Sequence, residues 1–423
     1  MFQKSLAAFF FCLGWMHFAY GVEGTCDGQV INLETAWQRT LAYAPSLDIA
    51  HTEIRIKNAE KKQASLRPNP IADLEVENIW GSGPYQGWDA AQITYSLWQT
   101  IELGGKRRAR RNFAATQTGV AYWEAEITKQ NLRYELVAAF IETYQYQEKL
   151  KIARERLALF EKTLGIVEAQ VKAGKVSPIQ RRRSQIHFKS AEVSLREAVS
   201  QLAQAKKKLS SMWGNTRPDF EALFFNFFEY ESPSSLEDLA PGLFDSPDVA
   251  KSEQEIFAAS YHLKLQKANR IPDVTLRGGY RQHNETDDYA FVIEAQIPIP
   301  IFNQNQGNIS KARLEINQSV SKKEEILRRL REKIAIIYEQ LVASFDKAEL
   351  IQNSVLTEAI ETLNLTQEGY QKGKLQYLDL LDAQKTLFEI QEQYLNILTV
   401  YHLKKAELQR WIGDQLCKEQ DDE

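Results

Sequence analysis

The chain has 423 residues, with 52 Lys and Arg against 56 Asp and Glu for a formal net charge of −4. At 43% hydrophobic and 26% charged it can bury a core, which excludes a disordered chain; 20 Gly and 12 Pro are too few for a loop-rich all-β protein. The acidic balance argues against nucleic acid as a partner, and three Cys with six dispersed His exclude a structural zinc site.

Residues 1–21 read as a secretory signal peptide. Lys4 supplies the positive start, residues 6–13 are an apolar run too short to span a bilayer, and Ala19-Tyr20-Gly21 sets cleavage after Gly21. Export leaves Cys26 and Cys417 in an oxidising compartment, where they either pair or stay as two free thiols. No later segment has about 18 consecutive apolar residues, so no transmembrane helix is expected, and a soluble exported protein or a β-barrel remains.

The rest is written twice. Ala173-Gly174-Lys175-Val176 returns as Lys372-Gly373-Lys374-Leu375, 199 positions on. Gln185 and Gln384, and Gly214 and Gly413, keep that offset, while Pro70 and Pro272 each open a strand-like segment. The expected division is a tail at 22–30, a repeat at 31–214, a linker at 215–235, a second repeat at 236–413 and a tail at 414–423.

Each repeat predicts the same elements. A shorter helix comes first, over 32–66 and 246–270, and proline stops it. Two strands follow. A long helix covers 105–172 and 307–371, then a Gly-Lys break, then a helix over 177–213 and 376–412. In the long helices Leu150, Ala153, Leu157, Phe160, Leu164, Val167 and Val171, and again Leu327, Leu330, Ile334, Ile337 and Leu341, advance by threes and fours in a narrow seam. The first would be about 100 Å long at 1.5 Å per residue. The two shorter helices of each repeat, stacked end to end, match it in length.

The strands alternate. Leu74, Val76 and Trp80 interleave with Asp73, Glu75 and Glu77; Ile93, Tyr95, Leu97 and Ile101 with Gln92, Thr94 and Ser96. Val274, Leu276 and Tyr280 interleave with Thr275, Arg277 and Arg281, and Tyr289, Phe291, Ile293, Ala295 and Ile297 with residues that include Glu294 and Gln296. This is membrane-strand patterning, the rival being a half-buried soluble sheet. Four strands cannot close a barrel, and open edges cannot stand in lipid, so several chains must share one barrel.

This order resembles the TolC-like outer-membrane efflux family over nearly all of the mature chain. Arg67-Pro68-Asn69-Pro70, Pro298-Ile299-Pro300-Ile301-Phe302 and Asn305-Gln306-Gly307 carry the likeness. Glu102-Leu103-Gly104-Gly105-Lys106-Arg107 is similar to the CzcC-like branch, the outer-membrane parts of heavy-metal exporters. The resemblance implies a mainly α fold with a small β part, built as a homotrimer: a helical periplasmic barrel carrying a shared twelve-stranded outer-membrane β-barrel. It also implies a periplasmic adaptor and an inner-membrane RND pump as partners, in the outer membrane of a Gram-negative bacterium. The function implied is a passive exit duct for heavy-metal cations, with no enzyme activity, no cofactor and no dedicated metal site. The alternatives are a duct for drugs or secreted polypeptide, and a soluble periplasmic coiled-coil scaffold.

The resemblance also locates a gate at the Gly-Lys breaks, Gly174 and Gly373. Asp379 and Asp382, three apart on one helical face, would make two rings of carboxylates that draw cations; a solvated helix start is the plainer reading. Tyr370 matches the family's gate tyrosine, Gln180 stands where the family has an acid, and Leu375 where it has an arginine. Gln180 would accept a hydrogen bond from Tyr370. Arg181, Arg182 and Arg183 would pair with Asp379 or Asp382, face the adaptor or stay solvated. Lys106, Arg107, Arg108, Arg110 and Arg111 would meet lipid phosphates below the barrel, with plain solvation as the rival.

Overall fold

The computed structural model describes residues 29–239, 242 and 244–412. The expected signal peptide, Cys26 and Cys417 lie outside these residues, so the expected choice between paired and free cysteines does too. The elements run β1 (Val30–Ile31), α1 (Leu33–Tyr43), α2 (Pro45–Ala64), β2 (Ile71–Glu77), β3 (Gln92–Ile101), α3 (Lys106–Lys172) and α4 (Pro178–Ser211). After β4 (Ala222–Leu223) and α5 (Leu236–Leu239) come α6 (Pro247–Asn269), β5 (Val274–His283), β6 (Asp288–Gln296), α7 (Gln306–Leu350), α8 (Leu356–Gln371) and α9 (Tyr377–Ile412).

Two expected helices are interrupted. Pro45 has no backbone N–H and splits the first into α1 and α2; Asn32 caps α1 by accepting from Thr35 N at 2.8 Å. The second long helix carries one π turn, Ile351–Val355, between α7 and α8. That extra residue aims Gln352 at the hydroxyls of Tyr230 and Tyr394, which both donate to its Oε1.

Both coiled-coil seams are internal. Leu150, Ala153, Phe160 and Val167 are buried, as are Leu330, Ile334, Ile337 and Leu341. α3 has 67 residues, about 100 Å of helix. α2 lies along its first part and α4 along the rest: Arg110 Nε donates to Ala64 O near one end, and Lys208 pairs with Glu142 further along. α6 and α9 divide α7 in the same way, through Lys323–Glu253 and Lys333–Glu407.

The segment between the repeats is packed rather than loose. β1 and β4 pair in parallel, and Phe220, Leu223 and Phe227 enter one core with Leu136, Phe140, Leu209 and Leu398. Each such aromatic contributes about 1.5–3 kcal/mol by leaving water.

The other four strands form one antiparallel sheet in the order β2-β3-β5-β6. The register sets Leu74 beside Tyr95, Tyr95 beside Tyr280 and Tyr280 beside Phe291. These side chains stand on one face without cover: Phe291 is 80% and Ile293 88% exposed. An apolar surface this continuous is not stable in water and fits lipid. The opposite face carries Asp73, Glu75, Thr94, Ser96 and Arg277. Among the described residues β2 and β6 each pair on one side only. No helix among the described residues is long and apolar enough to cross a membrane.

Candidate functional site

The two Gly-Lys breaks fold alike. Gly174 and Gly373 have φ of +67° and +72°, a region open to Gly at little cost. At the first, Gly174 N donates to Val171 O and Lys175 N to Gln170 O; at the second, Gly373 N donates to Tyr370 O and Lys374 N to Gly369 O. This is the Schellman closure that satisfies the last carbonyls of α3 and α8. The chain turns back there, at the end of the rods remote from the sheet.

α9 starts at this tip. Asp379 Oδ2 accepts from Gln376 N at 2.8 Å, so one of its oxygens closes the first turn, where a negative charge also suits the helix dipole. Asp379 and Asp382 are both exposed and line one groove between α8 and α9 with Glu358, Thr362, Thr366 and Lys385. The expected shared face is therefore present, with Asp379 also in the cap.

Behind them the tip is packed. Tyr370 and Tyr377 are 3% and 2% exposed, with ring centroids 6.2 Å apart, and burial pushes both phenols above their ordinary pKa. Gln384 is fully buried, and its Nε2 donates to Thr163 Oγ1 at 2.9 Å. Here one expectation is corrected. The Tyr370 hydroxyl does not donate to Gln180; Tyr370 Oη and Gln180 Oε1 are both buried with no partner among the described residues. The tyrosine ring is instead held in the α8–α9 packing with Phe160, Leu363 and Leu380.

The arginine run stays exposed. Arg181 Nε lies 3.5 Å from Glu168 Oε1 on α3, and none of Arg181, Arg182 and Arg183 pairs with Asp379 or Asp382 of its own chain. Pro178 opens α4 with Ser177 as its cap, and the charge of Arg183 still reaches the Tyr377 hydroxyl at the start of α9.

The basic cluster at the other end is divided. Lys106 Nζ is 2.7 Å from Asp273 Oδ1. Arg110 binds both Glu102 oxygens, at 2.6 and 3.1 Å, and the carbonyls of Ala64 and Leu66. These two residues join α3 to α2 and to the sheet and are spent internally, which corrects the reading of all five as a lipid contact. Arg107, Arg108 and Arg111 occupy the other side of the same turns and are exposed.

One constellation was not singled out from the sequence. On the sheet's polar face Arg277, with a side chain 9% exposed, binds Glu75 at 2.7 Å, Asp73 at 3.2 Å and Glu294 at 3.4 Å. Arg281 binds Glu77 at 3.3 Å. The alternation already put both arginines and these acids on the polar face; only the strand order shows that they meet. Elsewhere, among the described residues, no three His, Cys, Asp or Glu side chains are grouped to hold a metal ion.

Comparison with known proteins agrees with this architecture. The profile of a family described as "Outer membrane efflux protein" matches residues 36–215 and 243–414. The chain is 29% identical over 386 residues to the cobalt-zinc-cadmium resistance protein CzcC of Cupriavidus metallidurans, covering 90% of each. It is 28% identical over 282 residues to the nickel and cobalt resistance protein CnrC of the same organism, covering 65% of each. A crystal structure of CusC superposes with a TM-score of 0.77 at 19% identity, covering 90% of this chain and 92% of that one.

Proposed function

The chain belongs to the outer membrane efflux protein family, and on that premise we propose that it is the exit duct of a tripartite system exporting heavy-metal cations. Three chains share one twelve-stranded barrel, and their helices enclose a duct across the periplasm to an adaptor and an inner-membrane RND pump. The duct is not an enzyme, and its energy comes from the pump.

One observation carries the reading of a shared barrel. The sheet has an apolar face that is up to 88% exposed, and edges on β2 and β6 with one partner each. Unpaired strand edges cannot stand in lipid, so β6 of one chain pairs with β2 of the next. The metal cargo is supported by the similarity to proteins whose names record cobalt, zinc, cadmium and nickel resistance.

At the far tip, Asp379 and Asp382 form two rings of carboxylates that draw cations into the duct. Tyr370 and Gln180, whose buried polar atoms are unpaired among the described residues, take their partners from neighbouring chains when the gate is shut. Arg182 and Arg183 face a neighbouring chain or the adaptor, and the Gly174 and Gly373 turns present the tip to it. Below the barrel Arg107, Arg108 and Arg111 meet lipid phosphates.

The test is deletion of the gene, with growth titrated against zinc, cadmium, cobalt, nickel, copper and silver beside a drug and detergent panel. Sensitivity confined to metals and restored by the wild-type gene is the expected result. Sensitivity to drugs with metals unchanged overturns the cargo and keeps the duct.

A further inference from the structure

The membrane sheet holds charge that the gate does not use. On β2, Asp73, Glu75 and Glu77 alternate onto the polar face, where β6 adds Asp288 and Glu294. β5 answers with Arg277 and Arg281 alone. Five carboxylates against two guanidiniums leave three unbalanced negative charges per chain.

The two arginines must cross β3 to reach β2, and small polar residues of β3 lie along their path. Arg277 Nε donates to Ser96 Oγ at 3.0 Å, and Arg281 Nε to Thr94 Oγ1 at 2.8 Å. Between them, a Cβ on Gly279 would stand 2.8 Å from Ser96 Cβ and from Tyr95 O, so glycine is what lets β5 lie this close. Arg277 also lies over the Trp98 ring, 4.9 Å from its centroid. One guanidinium is thus held by acids from both edge strands and by two side chains of β3. Its acids remain open to solvent: Asp73 is 42%, Glu75 39% and Glu294 46% exposed.

We propose that this polar face is a second charge-selecting stretch of the duct, in which Arg277 and Arg281 set how strongly the barrel lumen favours cations over anions. The inference rests on the duct reading above. The other face of the sheet meets lipid, so the only water these carboxylates can polarise is in the lumen. Fixed charge lining a narrow aqueous path concentrates counter-ions and excludes co-ions. Screening sets the conditions: the Debye length is about 10 Å at 0.1 M salt and about 3 Å at 1 M, so the preference is large only in dilute salt. Ion pairing by Arg277 lowers the field of three acids; its loss adds one net negative charge per chain and frees all three.

The test uses the purified trimer in a planar bilayer, with the reversal potential read in a tenfold KCl gradient centred near about 0.1 M. Arg277→Gln is expected to raise the potassium-over-chloride permeability ratio about twofold, Asp288→Asn to lower it by about as much, and Arg277→Lys to leave it unchanged. Both differences should collapse at about 1 M KCl. Asp288 makes no ion pair among the described residues, so it removes charge without disturbing the Arg277 cluster and carries the test alone if Arg277→Gln yields no trimer. Ratios unmoved in Arg277→Gln and Asp288→Asn overturn the proposal. So does a fall in trimer heat resistance for both Arg277 variants with selectivity unaltered, which would make Arg277 a clamp of the sheet only. A wild-type protein that forms no channel would refute the duct itself, a separate failure.

Discussion

His402 ties the inter-repeat segment to the long helices, and acid should loosen it. The ring is 8% exposed, on α9, against Phe225, Phe227 and Tyr401. Its Nε2 lies 2.8 Å from Phe227 O, and a carbonyl can only accept, so the neutral ring carries its proton on Nε2. Burial, with a smaller effect from Lys405, pulls its pKa from 6.5 down to about 4. Glu229, Glu231 and Lys405 share the groove beside it. When the segment opens, the ring returns to its ordinary value. Below about pH 6.5 the opened state therefore takes up a proton that the closed state refuses. Stability present above pH 6.5 is lost as pH falls, until the closed ring protonates too near about pH 4. Between pH 7 and pH 5 the two-pKa expression gives a loss of about 1.8 kcal/mol, or roughly twentyfold in the opening constant. Amide hydrogen exchange of the trimer reads this directly. Glu229 N donates to Asn226 O and Glu231 N to Tyr401 Oη, so both amides report the docked segment. After correction for intrinsic exchange, their protection should drop roughly twentyfold at pH 5. In His402→Gln, an amide can donate to the same carbonyl without titrating, and the drop should vanish. Protection unchanged with pH in the wild type, or an equal drop in His402→Gln, would refute the argument.

Gly373→Ala should cost about 1–2 kcal/mol at the tip, because φ of +72° is strained for a Cβ although nothing lies within 4 Å of where it would sit. Exchange of the Lys374 amide, bonded to Gly369 O at 2.8 Å, should rise by about tenfold or more with trimer yield unaltered. Gln384→Met should be neutral or stabilise by about 1 kcal/mol in thermal melts, since Oε1 is buried without a partner among the described residues and Thr163 Oγ1 keeps its bond to Leu159 O. A clear loss of stability would mean that Oε1 is engaged in the assembled channel. Arg110→Ala should lower trimer heat resistance by the equivalent of about 2–3 kcal/mol, leaving Glu102 and two carbonyls unanswered, whereas Arg111→Ala should stay within about 0.5 kcal/mol.

The periods of the sequence carried most of the fold. A seam of threes and fours over 67 residues has no stable reading but a long paired helix, and α3 spans Lys106–Lys172. Alternation likewise placed every strand of the membrane sheet, because a one-residue slip would turn Phe291 and Ile293 to the wrong face. The breaks inside helices were harder. Pro45 is a local signal lost in an otherwise helical run, and the π turn at Ile351–Val355 has no local signal, since tertiary contacts to Tyr230 and Tyr394 decide it. The site was legible by position and illegible by pairing. Asp379 and Asp382 share a face as their spacing required, but Arg181 takes Glu168 and Arg110 takes Glu102. Which cation meets which anion depends on the lateral order of helices and strands, a long-range quantity that no local period encodes. Repeat symmetry misleads here too: Gln384 is fully buried while its counterpart Gln185 is exposed.

The two ends of the chain share a property. At one, β2 and β6 offer unpaired edges beneath an uncovered apolar face. At the other, Tyr370 Oη, Gln180 Oε1 and Gln170 Oε1 are buried with no partner among the described residues. Each costs free energy that a single chain does not recover: an unpaired backbone group in lipid costs several kcal/mol, and a buried unbonded polar atom about 1–3 kcal/mol. Trp213 Nε1 in the aromatic core and Trp411 Nε1 are also buried with no partner among the described residues, so such atoms are not confined to the tip. The sheet edges carry the stronger argument, because copies of the chain complete them by adding strand to strand. The two deficits differ in size, and so does what completing them can do. Many edge bonds in lipid leave no alternative, so the barrel stays closed once formed. A few polar atoms at the tip can be traded for water at small cost, so of the two ends the tip is the cheaper to open.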